Sequence, residues 1–401
     1  MSKGPAIAGL FFLLGGTLAL AQGDAKRGEY LAKAGGCIGC HTDARKDAQP
    51  YAGGRELKTP FGTFYGPNIT PHPQAGIGRW SYNDFVTAVR EGRRPDGANY
   101  FPAFPYPSFT RIGDADLRDL WAYLRTLKPS PQPSRPHELG LLYRWRVALY
   151  PWKWLFFTPG PFRPDPGKSA LVNRGAYLAQ ALGHCGECHT PRGIVGEMEL
   201  SRSFTGFALG RVAAPDITPA GLAARGWTAA ALVDFLGRGL ARQGSAFSDM
   251  HPVIMLSTRN LTPADLDAVA TYLLGDSPPA PASLAAPDPA DVAADVNGAG
   301  RISYVALCAG CHGLEGNGMP NTVVAMRNNS TLRLADPRNL IVAMLDGIGA
   351  ENFPHRQSMQ AMPGFADKLS DAEAAALANY LRVTWGGQKG DVTADAVRAL
   401  R

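Results

Sequence analysis

Cys-x-x-Cys-His occurs three times in this chain of 401 residues, at Cys37-Cys40-His41, Cys185-Cys188-His189 and Cys308-Cys311-His312, and the three copies use all 6 cysteines. Two thiols at this spacing followed by an imidazole form the attachment signature of c-type haem. The thiols make thioether bonds and the imidazole takes one axial position on iron. Zinc needs four ligands, whereas each copy stands more than a hundred residues from the next. A redox dithiol does not require the trailing His three times over. Structural metal or disulfides are the alternatives. The reading is three covalently bound haem c groups, attached by Cys37, Cys40, Cys185, Cys188, Cys308 and Cys311 and held proximally by His41, His189 and His312.

A haem is a large apolar body, so each motif calls for a small helical unit folded around it. The length suits two to four domains, and the motifs choose three. With 46 Gly and 33 Pro, the composition fits small helical domains with long loops whose cofactor supplies part of the core.

A repeat extends beyond the motifs. Arg27-Gly28-Glu29-Tyr30-Leu31-Ala32 and Arg174-Gly175-Ala176-Tyr177-Leu178-Ala179 lead into the first two copies as helices. Pro67-Asn68-Ile69-Thr70-Pro71 matches Pro215-Asp216-Ile217-Thr218-Pro219, and Trp80 and Trp227 then open amphipathic helices. Each unit closes on a helix with an apolar stripe, over 114–127, 263–274 and 371–383, carrying a late Tyr-Leu pair at Tyr123, Tyr272 and Tyr380. The expected fold class is all-α: three tandem class I cytochrome c domains joined by Pro-rich linkers.

The boundaries follow composition. A positive n-region at Lys3, an apolar run over 6–20 and Ala19-Leu20-Ala21 predict a signal peptide over 1–21, with an uncleaved anchor as the alternative. Domain 1 covers 22–135, a connector 136–165, domain 2 166–276, a Pro/Ala linker 277–293, domain 3 294–392 and a C-terminal tail 393–401. The protein is expected to be periplasmic and peripheral on the outer face of the cytoplasmic membrane. In the connector, Tyr143, Trp145, Tyr150, Trp152, Trp154, Phe156 and Phe157 alternate with Arg144, Arg146 and Lys153. That mixture suits a lipid headgroup boundary, a partner surface or packing across the protein's own domains. The net charge of +6 permits acidic partners without selecting one, and no nucleic-acid partner is expected.

The sixth ligand of each iron sets its redox chemistry, and a Met thioether raises the potential. Met362, in Met-Pro-Gly-Phe before the last closing helix, is the expected distal ligand in domain 3, with Met359 its rival. Met250 holds the comparable position in domain 2, with Met255 second. Domain 1 has no Met: between Met1 and Met198 there is none, and Phe104 aligns with Met250 to within a residue. His72 and His137 are the remaining candidates for haem 1, besides no protein ligand or one borrowed from elsewhere. Haem 1 is accordingly expected at a lower potential than the other two.

Gly183 to Arg192, the Asn-Ile-Thr-Pro and Gly-Trp elements, Cys308 to Gly313, Met362 to Phe365 and Thr384-Trp385-Gly386 together carry a resemblance. The chain resembles the three-haem cytochrome c subunit of bacterial membrane-bound dehydrogenases that oxidise alcohols, gluconate, sorbitol, fructose or aldehydes. The resemblance implies distal ligation by Met250 and Met362 and a role as electron conduit. It also implies a dehydrogenase catalytic subunit as partner, of flavin, quinone-cofactor or molybdenum type, and ubiquinone or another respiratory acceptor. The departure is Phe104, where alcohol dehydrogenase members carry Met in Pro-Ala-Met-Pro-Tyr. No glycine-rich dinucleotide fingerprint or hydrolytic triad suggests a catalytic site of its own. The other readings are a free-standing periplasmic multihaem relay to a terminal oxidase or reductase, and a haem enzyme using an open site on haem 1.

Overall fold

A computed structural model describes residues 23–283 and 298–401. The expected signal peptide and most of the Pro/Ala linker lie outside these residues. The chain is helix-rich, and four small antiparallel sheets add what the all-α expectation did not include.

Each motif is preceded by a helix: Ala25–Ala34, capped by the Asp24 carboxylate; Ala170–Tyr177, capped by Ser169 and prolonged by a π-turn over Leu178–Leu182; and Ala299–Leu307. The closing helices are Asp114–Leu124, Pro263–Leu274 and Asp371–Gly386. Thr262 caps the second, and Ser370 with Glu373 forms a capping box on the third. The first begins at Gly113 without a side-chain cap.

Every leading helix packs on its closing helix. A glycine makes each crossing possible. A Cβ at Gly28 would stand 1.8 Å from the Asp119 carbonyl oxygen and 2.8 Å from Tyr123 Cβ, and one at Gly175 1.9 Å from the Ala268 oxygen and 2.7 Å from Tyr272 Cβ. At Gly300 the same atom would meet the Ala376 oxygen at 2.3 Å and Tyr380 Cβ at 2.7 Å. The repeated Tyr of the sequence is thus the residue each glycine faces, and its Leu neighbour is buried in all three helices.

The first two units do not stand apart. Their buried side chains, from Leu31 to Leu274, form one continuous cluster. A reciprocal polar pair closes it: Tyr30 donates to Asp265 and Tyr177 to Asp116. Arg174 holds Asp265 in a fork at 2.8 and 2.7 Å, and Arg27 bonds Asp116 and Asp119. The third unit has its own cluster and joins the second through Phe353, which packs with Ala246 and Ile254. Arg211 bonds Asp346 at 2.5 Å, and Ser330 Oγ accepts from Arg225 and Trp227.

Residues 393–401, expected as a tail, pack back instead. Thr393 caps a helix Ala394–Arg398, Val397 is fully buried, and Arg398 and Arg401 bond Asp371 on the closing helix.

The connector opens with Glu138–Leu139, a third strand beside Glu56–Thr59 and Gly62–Tyr65, and ends in a helix Leu149–Phe156. Two of its cations, Arg146 and Lys153, turn inward. Arg146 lies 4.3 Å over the Phe101 ring and donates to the Asn99 carbonyl, while Lys153 donates to Glu91 and Asn99. The apolar side chains face outward, with Trp145 70%, Val147 67%, Tyr150 61% and Trp154 83% exposed. Among the described residues no helix is long and apolar enough to cross a membrane.

Candidate haem-binding sites

Each motif folds into a single helical turn. The His amide bonds back to the first Cys carbonyl at 3.0 Å for His41 and His189 and 2.9 Å for His312. A turn places residues three and four apart on one face, so both sulfurs and the imidazole address one side. Entry needs left-handed backbone at Gly36 (φ 61°) and at its counterpart His184 (φ 38°), a conformation uncommon for a residue with a Cβ.

The three imidazoles share one orientation. Nδ1 of His41 donates to the Pro67 carbonyl at 2.8 Å, that of His189 to Pro215 at 2.7 Å and that of His312 to Val324 at 2.9 Å. A carbonyl only accepts, so the ring proton sits on Nδ1 and the Nε2 lone pair is left to ligate. Burial, opposed by these bonds, pushes the three imidazoles below the ordinary His range and keeps them neutral. The Pro67 and Pro215 carbonyls come from the matching Pro-Asn/Asp-Ile-Thr-Pro segments, which explains why those segments repeat.

The cysteines form no disulfide. Burial pushes the Cys37 thiol up to about 12 and those of Cys185, Cys188 and Cys308 to about 11. These thiols are held in the neutral form, and thioether attachment leaves sulfur uncharged there. Among the described residues no group of three or more His, Cys, Asp or Glu is placed to hold a bare metal ion. A buried polar atom awaits a partner in the third unit: Trp385 is 1% exposed, shares a core with Cys308 and Met362, and its Nε1 has no hydrogen-bond acceptor. The residues present therefore fit covalent haem.

Of the residues expected as distal ligands, Met250 begins the helix Met250–Leu256 and packs half-buried on the cluster shared by the first two units, as Phe104 does. Met362 packs on the Cys308 cluster, its backbone paired both ways with Ile348. The rivals have other surroundings. Met255 Sδ accepts from Arg259 at 3.9 Å, and Met359 lies in the hairpin strand Gln357–Met359 against Phe353. Phe104 packs its ring against Tyr100 at 5.4 Å and Phe109 at 5.8 Å.

His72 and His137 are bonded the opposite way from the motif imidazoles. Nδ1 of His72 accepts from the amides of Gln74 and Ala75, and Nδ1 of His137 accepts from the Tyr65 amide at 3.2 Å, its ring between Phe64 and Phe101.

Two relationships escaped the sequence reading. The first and second attachment sites are neighbours: the helix starting at Met250 packs on the Cys37–Cys40 turn, and Phe109 of the first unit packs on His184 beside Cys185. His184, directly before the second motif, packs its ring 5.4 Å from Phe109 of the first unit, and burial pushes its imidazole below the ordinary His range. Its place one residue before the second motif was the only available signal.

The cytochrome c family profile matches residues 25–128 and 299–385. The chain is similar to the cytochrome c subunit of alcohol dehydrogenase (quinone) of Gluconacetobacter polyoxogenes, 35% identical, covering 98% of this chain and 88% of that protein. It is likewise similar to the gluconate 2-dehydrogenase cytochrome c subunit of Pantoea cypripedii, 35% identical over 94% of this chain and 89% of the other. The fructose dehydrogenase cytochrome subunit of Gluconobacter japonicus is 33% identical over 94% and 82% respectively.

Proposed function

The chain belongs to the family of cytochrome c subunits of alcohol, gluconate and fructose dehydrogenases, and from that premise we propose that it is an electron-transfer subunit carrying three haem c groups, one on each Cys-x-x-Cys-His motif. The observation that carries this reading is the common Nδ1–carbonyl bond of His41, His189 and His312, which presents an Nε2 lone pair behind each cysteine pair. When bound, each haem supplies a one-electron ferric–ferrous couple. The six cysteines attach the groups, the three imidazoles ligate proximally, and Met250 and Met362 ligate distally in domains 2 and 3.

The partner is a dehydrogenase catalytic subunit of flavin, quinone-cofactor or molybdenum type, and the acceptor is ubiquinone or another respiratory carrier. The shared core of the first two units, with the Met250 helix packed on the Cys37–Cys40 turn, supports direct exchange between the first two centres. No side chain is assigned to substrate chemistry.

The subunit works in the periplasm, peripheral on the outer face of the cytoplasmic membrane, with the connector against lipid. The connector supports this by its outward Trp145, Val147, Tyr150, Trp154 and Leu155, and by the absence of Asp or Glu between Glu138 and Asp165. Exposed Trp and Tyr beside aliphatic residues favour the headgroup level.

Purification from cells under mild detergent tests the functional reading. A co-eluting dehydrogenase polypeptide is expected, with haem reduction on adding ethanol, gluconate or fructose, or another substrate of that polypeptide. A lone chain whose haems no such substrate reduces would favour the free-standing relay.

A further inference from the structure

We infer that on the distal side of the first haem site the described residues offer iron no ligating atom, so that its ferrous centre binds a small neutral diatomic molecule such as carbon monoxide or nitric oxide. The inference rests on the three-haem reading above and adds a ligand-binding site to it.

Met250 and Met362 stand ahead of the second and third closing helices, and Phe104 stands ahead of the first. Phe104 and Met250 pack on the same core cluster as Cys37, so a phenyl ring occupies the place of a thioether. A phenyl ring has no lone pair to give. No Met lies between Met1 and Met198; Met250 is committed to the second haem in the reading above, and Met255 Sδ accepts from Arg259 at 3.9 Å.

The imidazoles are spoken for. His41, His189 and His312 are proximal. His72 and His137 use the Nδ1 lone pair to accept backbone amides, which puts the proton of the neutral ring on Nε2. Either could ligate only by giving up those bonds. His184 directly precedes Cys185 of the second motif and packs its ring edge-on against Phe109 at 5.4 Å, while His251 Nε2 faces the Asn352 carbonyl at 3.2 Å on the third unit's side. His355, the last of the 8 histidines, belongs to the third unit. Among the oxygen donors of the distal segment, burial holds Tyr100 and Tyr106 as neutral phenols, which are weak ligands.

The surroundings choose the ligand class. Phe104, Tyr100 and Phe109 present aromatic rings, and among the described residues no cation lies over any of the three to steady an anion. A neutral diatomic that accepts electron density from ferrous iron needs no such help, whereas azide or hydroxide would enter an apolar site uncompensated.

The test uses the full-length holoprotein, with haem counted on the same sample. Three attached haems, one high-spin ferric signal in electron paramagnetic resonance, and one carbon monoxide bound per three haems after reduction are expected. Phe104→Met is expected to abolish carbon monoxide binding and convert the high-spin signal to low spin, whereas Phe104→Leu retains both properties. Three attached haems that are all low spin and inert to carbon monoxide would overturn the inference and leave the three-haem reading standing. Fewer than three haems, with Cys37 and Cys40 unmodified, would overturn both.

Discussion

The Tyr30 hydroxyl donates to the Asp265 carboxylate across 235 positions of sequence, and Asp265 is at the same time forked by Arg174. Its mirror, Tyr177 to Asp116, makes the interface of the first two units reciprocal. Tyr30→Phe removes one charge-assisted bond and is expected to cost about 1.5–3 kcal/mol. Asp265→Ala strands Arg174 as well as Tyr30, so it should cost more than Tyr30→Phe in chemical unfolding of the holoprotein. Burial raises the Asp265 carboxyl, but the Arg174 and Tyr30 bonds outweigh it and leave the group below its ordinary value. The stabilisation from this group is therefore full above the ordinary carboxylate range and lost as pH falls through the depressed value. Asp265→Asn should flatten that acid limb.

Gly300→Val tests the helix crossing. The new side chain would enter space held by the Ala376 carbonyl and Tyr380 Cβ. Overpacking of this kind typically costs about 1–3 kcal/mol, and a backbone obstacle places this site at the upper end. Thermal unfolding of the third unit should shift down, whereas Gly349→Ala, with open space at its Cβ, should leave it nearly unchanged.

Glu351 lies in the hairpin strand Glu351–Phe353, and burial raises its carboxyl to about 7. Its folded form holds the proton more tightly than the unfolded chain does. Stability should thus fall as pH rises from the ordinary Glu value, near about 4.3, toward 7, and stay level above that. Glu351→Gln should raise the unfolding midpoint at pH 8 and leave it unchanged at pH 4. Equal effects at both values would contradict the assignment.

The connector should partition to lipid. Trp145→Ser with Trp154→Ser is expected to lower sedimentation with vesicles of mixed phosphatidylglycerol and phosphatidylethanolamine at least tenfold, without altering the visible spectrum. Unchanged sedimentation would reassign this face to a protein partner.

Much of this was legible in the sequence because it is local. The Cys-x-x-Cys-His turns and the stripes of the closing helices sit within a few residues of their signals, and the Pro67 and Pro215 segments repeat. The Gly28–Tyr123 and Gly175–Tyr272 crossings were present as two repeats whose contact only the fold reveals. The small sheets were not legible: strands of two to four residues such as Leu240–Ala241 leave no period to read. Neither were the inward Arg146 and Lys153, whose partners lie far back along the chain in the first unit. The C-terminal helix was read as a tail because its anchor, Asp371 accepting from Arg398 and Arg401, joins short polar stretches without an apolar stripe.

Intact-mass analysis of the denatured, purified protein with peptide mapping tests the central claim most directly. The account predicts a mass exceeding the polypeptide by three haems, with the adducts on peptides containing Cys37–Cys40, Cys185–Cys188 and Cys308–Cys311. A polypeptide carrying fewer haems, or one whose cysteine pairs return as disulfides or free thiols, would contradict it.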